Sequence, residues 1–135
     1  MVSEPLDPRV LAALDALVTP ALVLEEAVLD RNIAATAARA RDRGLALRPH
    51  AKTHKSLEIA RRQLAAGAVG LTVATVSEAE VFAAGGCDDL FIAYPLWLDA
   101  ERAGRLRRVL RTARVRIGVD SAASAEPSGA TEAAE

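Results

Sequence analysis

At 135 residues, 51% of them hydrophobic and 26% charged, the chain can form one domain with a real core and has a soluble globular profile. A net charge of -1 with 3% aromatics, and arginines spread along helical faces, argue against nucleic acid or an anionic membrane as partner. The lone Cys87 excludes an intrachain disulfide and a cysteine-rich metal site.

The N-terminus, Met1 to Leu11, carries acids and prolines and lacks the pattern of a secretory signal. No apolar run approaches the ~20 residues that span a bilayer, so the expected location is cytoplasmic. Val10 to Val18 reads as a short helix after Asp7-Pro8, and Thr19-Pro20 breaks it. Ala21 to Leu24 is a short apolar strand candidate. Glu25 to Arg43 is a helix with Leu29, Ile33, Thr36, Ala37 and Ala40 in one stripe, acidic at its start, basic at its end and stopped by Gly44.

The run Leu45 to Lys55 holds both histidines of the chain, His50 and His54, together with Arg48, Lys52 and Lys55. Read as an extended strand, it places Arg48, His50 and Lys52 on one face and Leu45, Leu47, Pro49 and Ala51 on the other. An isolated lysine titrates near ~10.4. Neighbouring cations and desolvation disfavour its charged form, and a neutral amine is what Schiff-base chemistry requires. A basic strand end that binds an anion, or a solvated loop, fits the same spacing.

Ser56 to Ala66 follows as a helix with Leu57, Ala60 and Leu64 inward, then a strand over Val69 to Ala74. Thr75-Val76-Ser77-Glu78 has the form of a capping box and opens a helix to about Ala84. Cys87 lies in a turn-like stretch after Gly85-Gly86 and reads as a bystander. Leu90 to Tyr94 is a strand. Asp99 to Thr112 is a helix burying Ala103, Leu106, Val109 and Leu110, with Arg102, Arg105, Arg107, Arg108 and Arg111 on a solvated face. Val115 to Val119 is the last strand. Residues 122-135 contain only Ala, Ser, Glu, Pro, Gly and Thr and are expected to be a disordered low-complexity tail.

Strand and helix thus alternate at intervals of about 20 to 26 residues, as in βαβ units that build a parallel sheet. The expected fold is α/β: parallel (β/α) units over residues 1-121, forming part of a TIM-type barrel, with a doubly wound sheet as the other arrangement these helices permit. No G-x-G-x-x-G or G-x-x-x-x-G-K-[ST] follows any strand, so neither dinucleotide nor P-loop binding has support.

Thr19-Pro20-Ala21-Leu22-Val23-Leu24, Arg31-Asn32-Ile33 and above all Arg48-Pro49-His50-Ala51-Lys52-Thr53-His54-Lys55-Ser56 resemble the N-terminal part of the D-threonine aldolase and D-serine dehydratase family. Gln63 to Ala68, Thr72 to Glu80, Ile92 to Leu96 and Val119 to Ser121 extend the similarity over roughly residues 19 to 121. These are fold-type III pyridoxal-phosphate enzymes with an alanine-racemase-like barrel, so the resemblance implies about half of such a barrel here. It also implies a lyase acting on small D-configured β-hydroxy amino acids, with pyridoxal 5'-phosphate held as a Schiff base on Lys52.

Arg48, His50 and Tyr94 are the further candidates for cofactor contact. The bland alternatives are cations filling a barrel interior and a buried tyrosine. Lys55 is the rival amine. Thr75 and Glu78 read as helix capping, while Asp120 and Ser121 either line the pocket or start a turn. Full-length relatives add a C-terminal domain with divalent-metal ligands, and no such ligand cluster is visible here. The resemblance assigns Ala21 to Leu24 to that second domain. An open barrel edge is expected to drive self-association. The competing reading is a catalytically silent fragment that binds the cofactor weakly or not at all.

Overall fold

Helix starts in this chain are marked by short polar side chains that take up free backbone amides. In the computed structural model, which describes residues 7–125, Asp7 opens α1 (Pro8–Asp15) by accepting from Arg9 N at 2.7 Å. Ser56 caps α3 (Leu57–Ala65), Thr75 caps α4 (Val76–Ala84) and Asp99 caps α5 (Ala100–Val109). The long α2 (Glu26–Asp42) has no side-chain cap, but an acidic first turn and a basic last turn suit its dipole.

Between the helices run β1 (Leu71–Val73), β2 (Asp89–Ile92) and β3 (Arg114–Ile117), all parallel and in that order across one sheet. The register pairs Thr72 with Phe91 and Phe91 with Arg116. Residues 47–51 lie beside β1 as a fourth parallel segment. Val69 N donates to Leu47 O, Thr72 N to Pro49 O and Ala51 N to Thr72 O, at 2.7–2.9 Å. Four successive parallel segments are half of the eight that close a (β/α) barrel, as the sequence pattern predicts.

The alternation of side chains along each strand places the core. Leu71, Val73, Leu90 and Ile92 are fully buried against Phe82 and Ala79 of α4 and Leu106 and Val109 of α5. Each large side chain of this kind contributes roughly 2 kcal/mol by leaving water. Cys87 is buried at the edge of the same cluster, a structural position that agrees with its reading as a bystander. Burial pushes its thiol up from the ordinary value, with the Asp89 carbonyl hydrogen bond pulling the other way.

Five expectations need correction, the smallest being Leu110, which is expected on a buried helix face but caps the end of α5 half exposed. Ala21 to Leu24 forms no strand and lies exposed, because no neighbouring strand among the described residues pairs with it. The extended run from Leu45 does not reach Lys55. A Lys55 N to Ala51 O hydrogen bond of 2.9 Å folds the chain into a turn after Ala51, and Lys55 takes a positive φ of 48°. Arg105 is not merely solvated, since it bonds Glu80 and Ser77 and so ties α5 to α4. The expected disordered tail begins with a helical turn, α6 (Ala122–Ala125), whose Ser124 is buried and hydrogen-bonded to Asp120 and Ser121. Residues 126–135 of that tail lie outside the described residues. Among the described residues no helix is long and apolar enough to cross a membrane.

Candidate functional site

Parity divides the sheet into two faces. Leu71, Val73, Leu90 and Ile92 turn to the helices, so Thr72, Asp89, Phe91, Arg114 and Arg116 turn to the opposite side, joined there by Arg48 and His50. In a closed barrel that side is the interior, and catalytic groups gather at its C-terminal rim.

Asp89 is the electrostatic centre of the polar face. Arg48 Nη1 lies 2.8 Å from Asp89 Oδ1, with side chains 19% and 16% exposed, and also donates to the Asp89 carbonyl at 3.1 Å. Arg116 donates to the same carboxylate oxygen, while Arg114 stands off at 3.9 Å. Burial alone pushes the Asp89 carboxyl upward. The hydrogen bonds from Arg48 and Arg116 and their charges outweigh it and hold the group below its ordinary value. Gly70 makes this crossing possible, because a Cβ there would sit 2.3 Å from Arg48 Nη1 and 2.3 Å from the Asp89 carbonyl oxygen.

The candidate amine sits at the other end of the segment. Lys52 is exposed on the turn that follows residues 47–51, at the C-terminal end of the parallel sheet. His50 Nδ1 accepts from Lys52 N at 3.2 Å and so braces the start of the turn. Lys55 Nζ lies 3.2 Å from Glu78 Oε1, and the second Glu78 oxygen accepts from Ala74 N at 2.7 Å. Glu78 is held below the ordinary carboxylate range. Burial opposes this, but the Ala74 amide, Lys55 and the charge of His50 together outweigh it. His54 packs edge-on to Phe82, with ring centroids 6.4 Å apart, and its Nδ1 accepts from Ser56 N. Burial lowers its pKa below 6.5, against weaker pulls from Gln63 and Ser56. His54 Nε2 and Gln63 Oε1 are both buried without a hydrogen-bond partner among the described residues.

The predicted site residues are only partly brought together. His50, at the end of the parallel segment, accepts from the backbone of Lys52 in the turn that follows. Arg48 is instead engaged by the Asp89 carboxylate and carbonyl. Tyr94, 70% exposed, falls in a bend beyond β2 and on the parity of the buried Leu90 and Ile92. It is not the buried tyrosine of the alternative reading. Nor does Lys52 occupy the dry environment that its strand parity suggests, since the turn carries it into solvent. Asp120 and Ser121 cap α6 through Ser124, which is the turn reading. The sequence reading does not single out Asp89, Arg114 and Arg116. Their signal is the alternation Asp-Leu-Phe-Ile and Arg-Val-Arg-Ile, in which each strand begins one residue earlier than predicted.

No group of three or more His, Cys, Asp or Glu among the described residues is placed to hold a metal ion. A groove of about 600 Å³ runs beside the turn, lined by Leu22, Val23, Leu24, Leu29, His54 and Ile59 with polar groups at its rim.

No family model matches the chain. It is 43% identical over 120 residues to a D-threonine aldolase of Arthrobacter sp, covering 89% of this chain and 30% of that protein. A D-threo-3-hydroxyaspartate dehydratase of Delftia sp. (strain HT23) is 42% identical over 109 residues, covering 80% of this chain and 28% of its own length. Among solved structures, the D-threonine aldolase from Filomicrobium marinum superposes with a TM-score of 0.73 at 38% identity, over 77% of this chain and 28% of that one. The structure of the Delftia dehydratase gives a TM-score of 0.72 at 40% identity, over 82% and 29%. The chain therefore spans somewhat under a third of the length of the relatives it matches.

Proposed function

From its membership, as a partial homologue, in the family of D-threonine aldolase and D-threo-3-hydroxyaspartate dehydratase, we propose that this chain carries the cofactor-bearing lysine of a pyridoxal-phosphate lyase. The substrates would be small D-configured β-hydroxy amino acids. The observation that carries this reading is the position of Lys52: an accessible amine at the C-terminal end of a parallel sheet, inside the Arg48 to Lys55 run.

The residues present fit the attachment of an aldehyde. Lys52 has no ion-pair partner among the described residues, whereas the rival Lys55 is paired with Glu78. When bound, pyridoxal phosphate supplies an electron sink for bonds at Cα of an amino acid. Lys52 would hold it covalently, His50 keeps the turn in place through the Lys52 amide, and the Arg48–Asp89–Arg116 network stiffens the polar face below. A second reading, a catalytically silent fragment that binds the cofactor weakly or not at all, is supported by the exposure of Lys52, which the turn carries into solvent.

The test is to mix the protein with pyridoxal phosphate, reduce with borohydride and map the modified peptide. Stoichiometric label on Lys52, abolished by Lys52→Ala, is expected. Label scattered over Lys55 and the N-terminal amine refutes the assignment. Release of glycine with the matching aldehyde, or of a 2-oxo acid with ammonia, from D-threonine and D-threo-3-hydroxyaspartate then separates turnover from uptake alone.

A further inference from the structure

Glu78 has more partners than a helix cap requires. A capping-box glutamate reaches back to the backbone N–H of its own N-cap residue. Here the N-cap is Thr75, whose hydroxyl accepts from Glu78 N at 3.2 Å, yet the Glu78 carboxylate passes Thr75 and takes the amide of Ala74 at the end of β1. Its other oxygen holds Lys55 at 3.2 Å. The Glu78 side chain is 13% exposed and that of Lys55 is 66% exposed. One carboxylate thus fastens the end of β1, the start of α4 and the far end of the turn that bears Lys52. Lys55 stands in the left-handed region at φ 48°, a conformation that a non-glycine residue keeps only where its surroundings hold it.

We propose that Glu78 is a positioning residue, which pins Lys55 to the end of β1 and leaves Lys52 as the one amine of the turn free to meet a carbonyl ligand. The proposal rests on the reading of Lys52 as the cofactor lysine, and adds to it a reason why the neighbouring amine three residues on does not compete. A nitrogen hydrogen-bonded to a carboxylate is tethered there and kept from the approach to an aldehyde carbon, and Lys55 Nζ is so tethered to Glu78.

The probe is pyridoxal phosphate with borohydride on the full chain. An amine adds to the aldehyde carbon with loss of one water. Borohydride then delivers hydride to that carbon while solvent supplies a proton to nitrogen, leaving a secondary amine that survives digestion. The readout is the ratio of label on Lys55 to label on Lys52. Glu78→Gln keeps an acceptor for Ala74 N and removes the charge that holds Lys55. The ratio is expected to rise about threefold, the scale of a partly exposed ion pair. Sodium chloride at 1 M, where screening acts over ~3 Å, raises the same ratio in the unsubstituted protein and needs no variant to fold. Lys55→Met slows Lys52 labelling and Lys55→Arg restores it, because arginine remakes the pair.

A ratio unchanged by both Glu78→Gln and salt overturns the proposal, as do equal Lys52 rates in the Met and Arg variants. If Lys52 takes no label while Lys55 labelling still rises on loss of the pair, the lysine assignment of the proposed function falls and the shielding by Glu78 stands.

Discussion

Replacing Asp89 by asparagine removes one charge, preserves shape and asks whether the polar face is held together electrostatically. Arg48 and Asp89 are 19% and 16% exposed, which places their pair between two limits. Exposed pairs contribute ~0.5 kcal/mol, and breaking a fully buried pair costs about 3–5 kcal/mol because an uncompensated charge remains inside. Arg116 adds a half-exposed contact, and Arg114, at 3.9 Å and largely in solvent, adds little. Arg48 keeps its bond to the residue 89 carbonyl in the variant. The expected loss is therefore about 2 kcal/mol, or ~8 °C in melting temperature for a chain of this size.

Urea unfolding followed by circular dichroism at pH 7 measures that loss, with Arg114→Gln as a control that changes stability by less than ~0.5 kcal/mol. The pH dependence gives an independent check. Burial raises the Asp89 carboxyl, but Arg48 and Arg116 more than compensate, so it titrates lower in the folded chain than in the unfolded one. Such a group contributes stability above the unfolded value of ~3.9 and loses it as pH falls through the folded value. The gap between wild type and Asp89→Asn should therefore be full at pH 7 and close in strong acid. A variant within ~0.5 kcal/mol of wild type at pH 7, or a gap that does not shrink in acid, refutes the reasoning.

Gly70→Ala forces a Cβ to within 2.3 Å of the Asp89 carbonyl oxygen, and backbone cannot swing away as the Arg48 guanidinium can. It should cost roughly 2–3 kcal/mol in the same unfolding assay, and a variant as stable as wild type rules out the close approach. His54, whose pKa burial lowers, binds its proton less readily folded than unfolded. Its contribution is present above ~6.5 and is lost as pH falls through the folded value. The imidazole should titrate below ~6.5 by NMR, and a midpoint at or above that value contradicts the burial argument.

Much of the architecture is legible in the chain itself. The helix stripe Leu29, Ile33, Ala37 and Ala40, the caps Ser56, Thr75 and Asp99, and the alternation of strand and helix from Leu45 onward are local patterns, and each fixes an element close to where it lies. The Arg48 to Lys55 run likewise marks the candidate site without help from tertiary structure, because its residue types are unusual together. Strand edges were less legible. Asp89 and Arg114 sit opposite each other in the register, and a charged residue at the start of an apolar run looks like a loop until its partner strand is known.

Residue order alone determined that this is a chain of parallel (β/α) units with one conspicuous cluster of amines and imidazoles. Tertiary structure decided which of those groups are already engaged: Arg48 by Asp89 across two strands, Lys55 by Glu78 from the following helix, and Lys52 by neither. The physical reason is range. Periodicity and capping act over a few residues and can be read along the chain, whereas Asp89 lies 41 residues from Arg48 and meets it only once the sheet has formed. The same holds for the turn after Ala51, where one hydrogen bond from Lys55 outcompetes strand extension and moves Lys52 from a predicted sheet face into solvent.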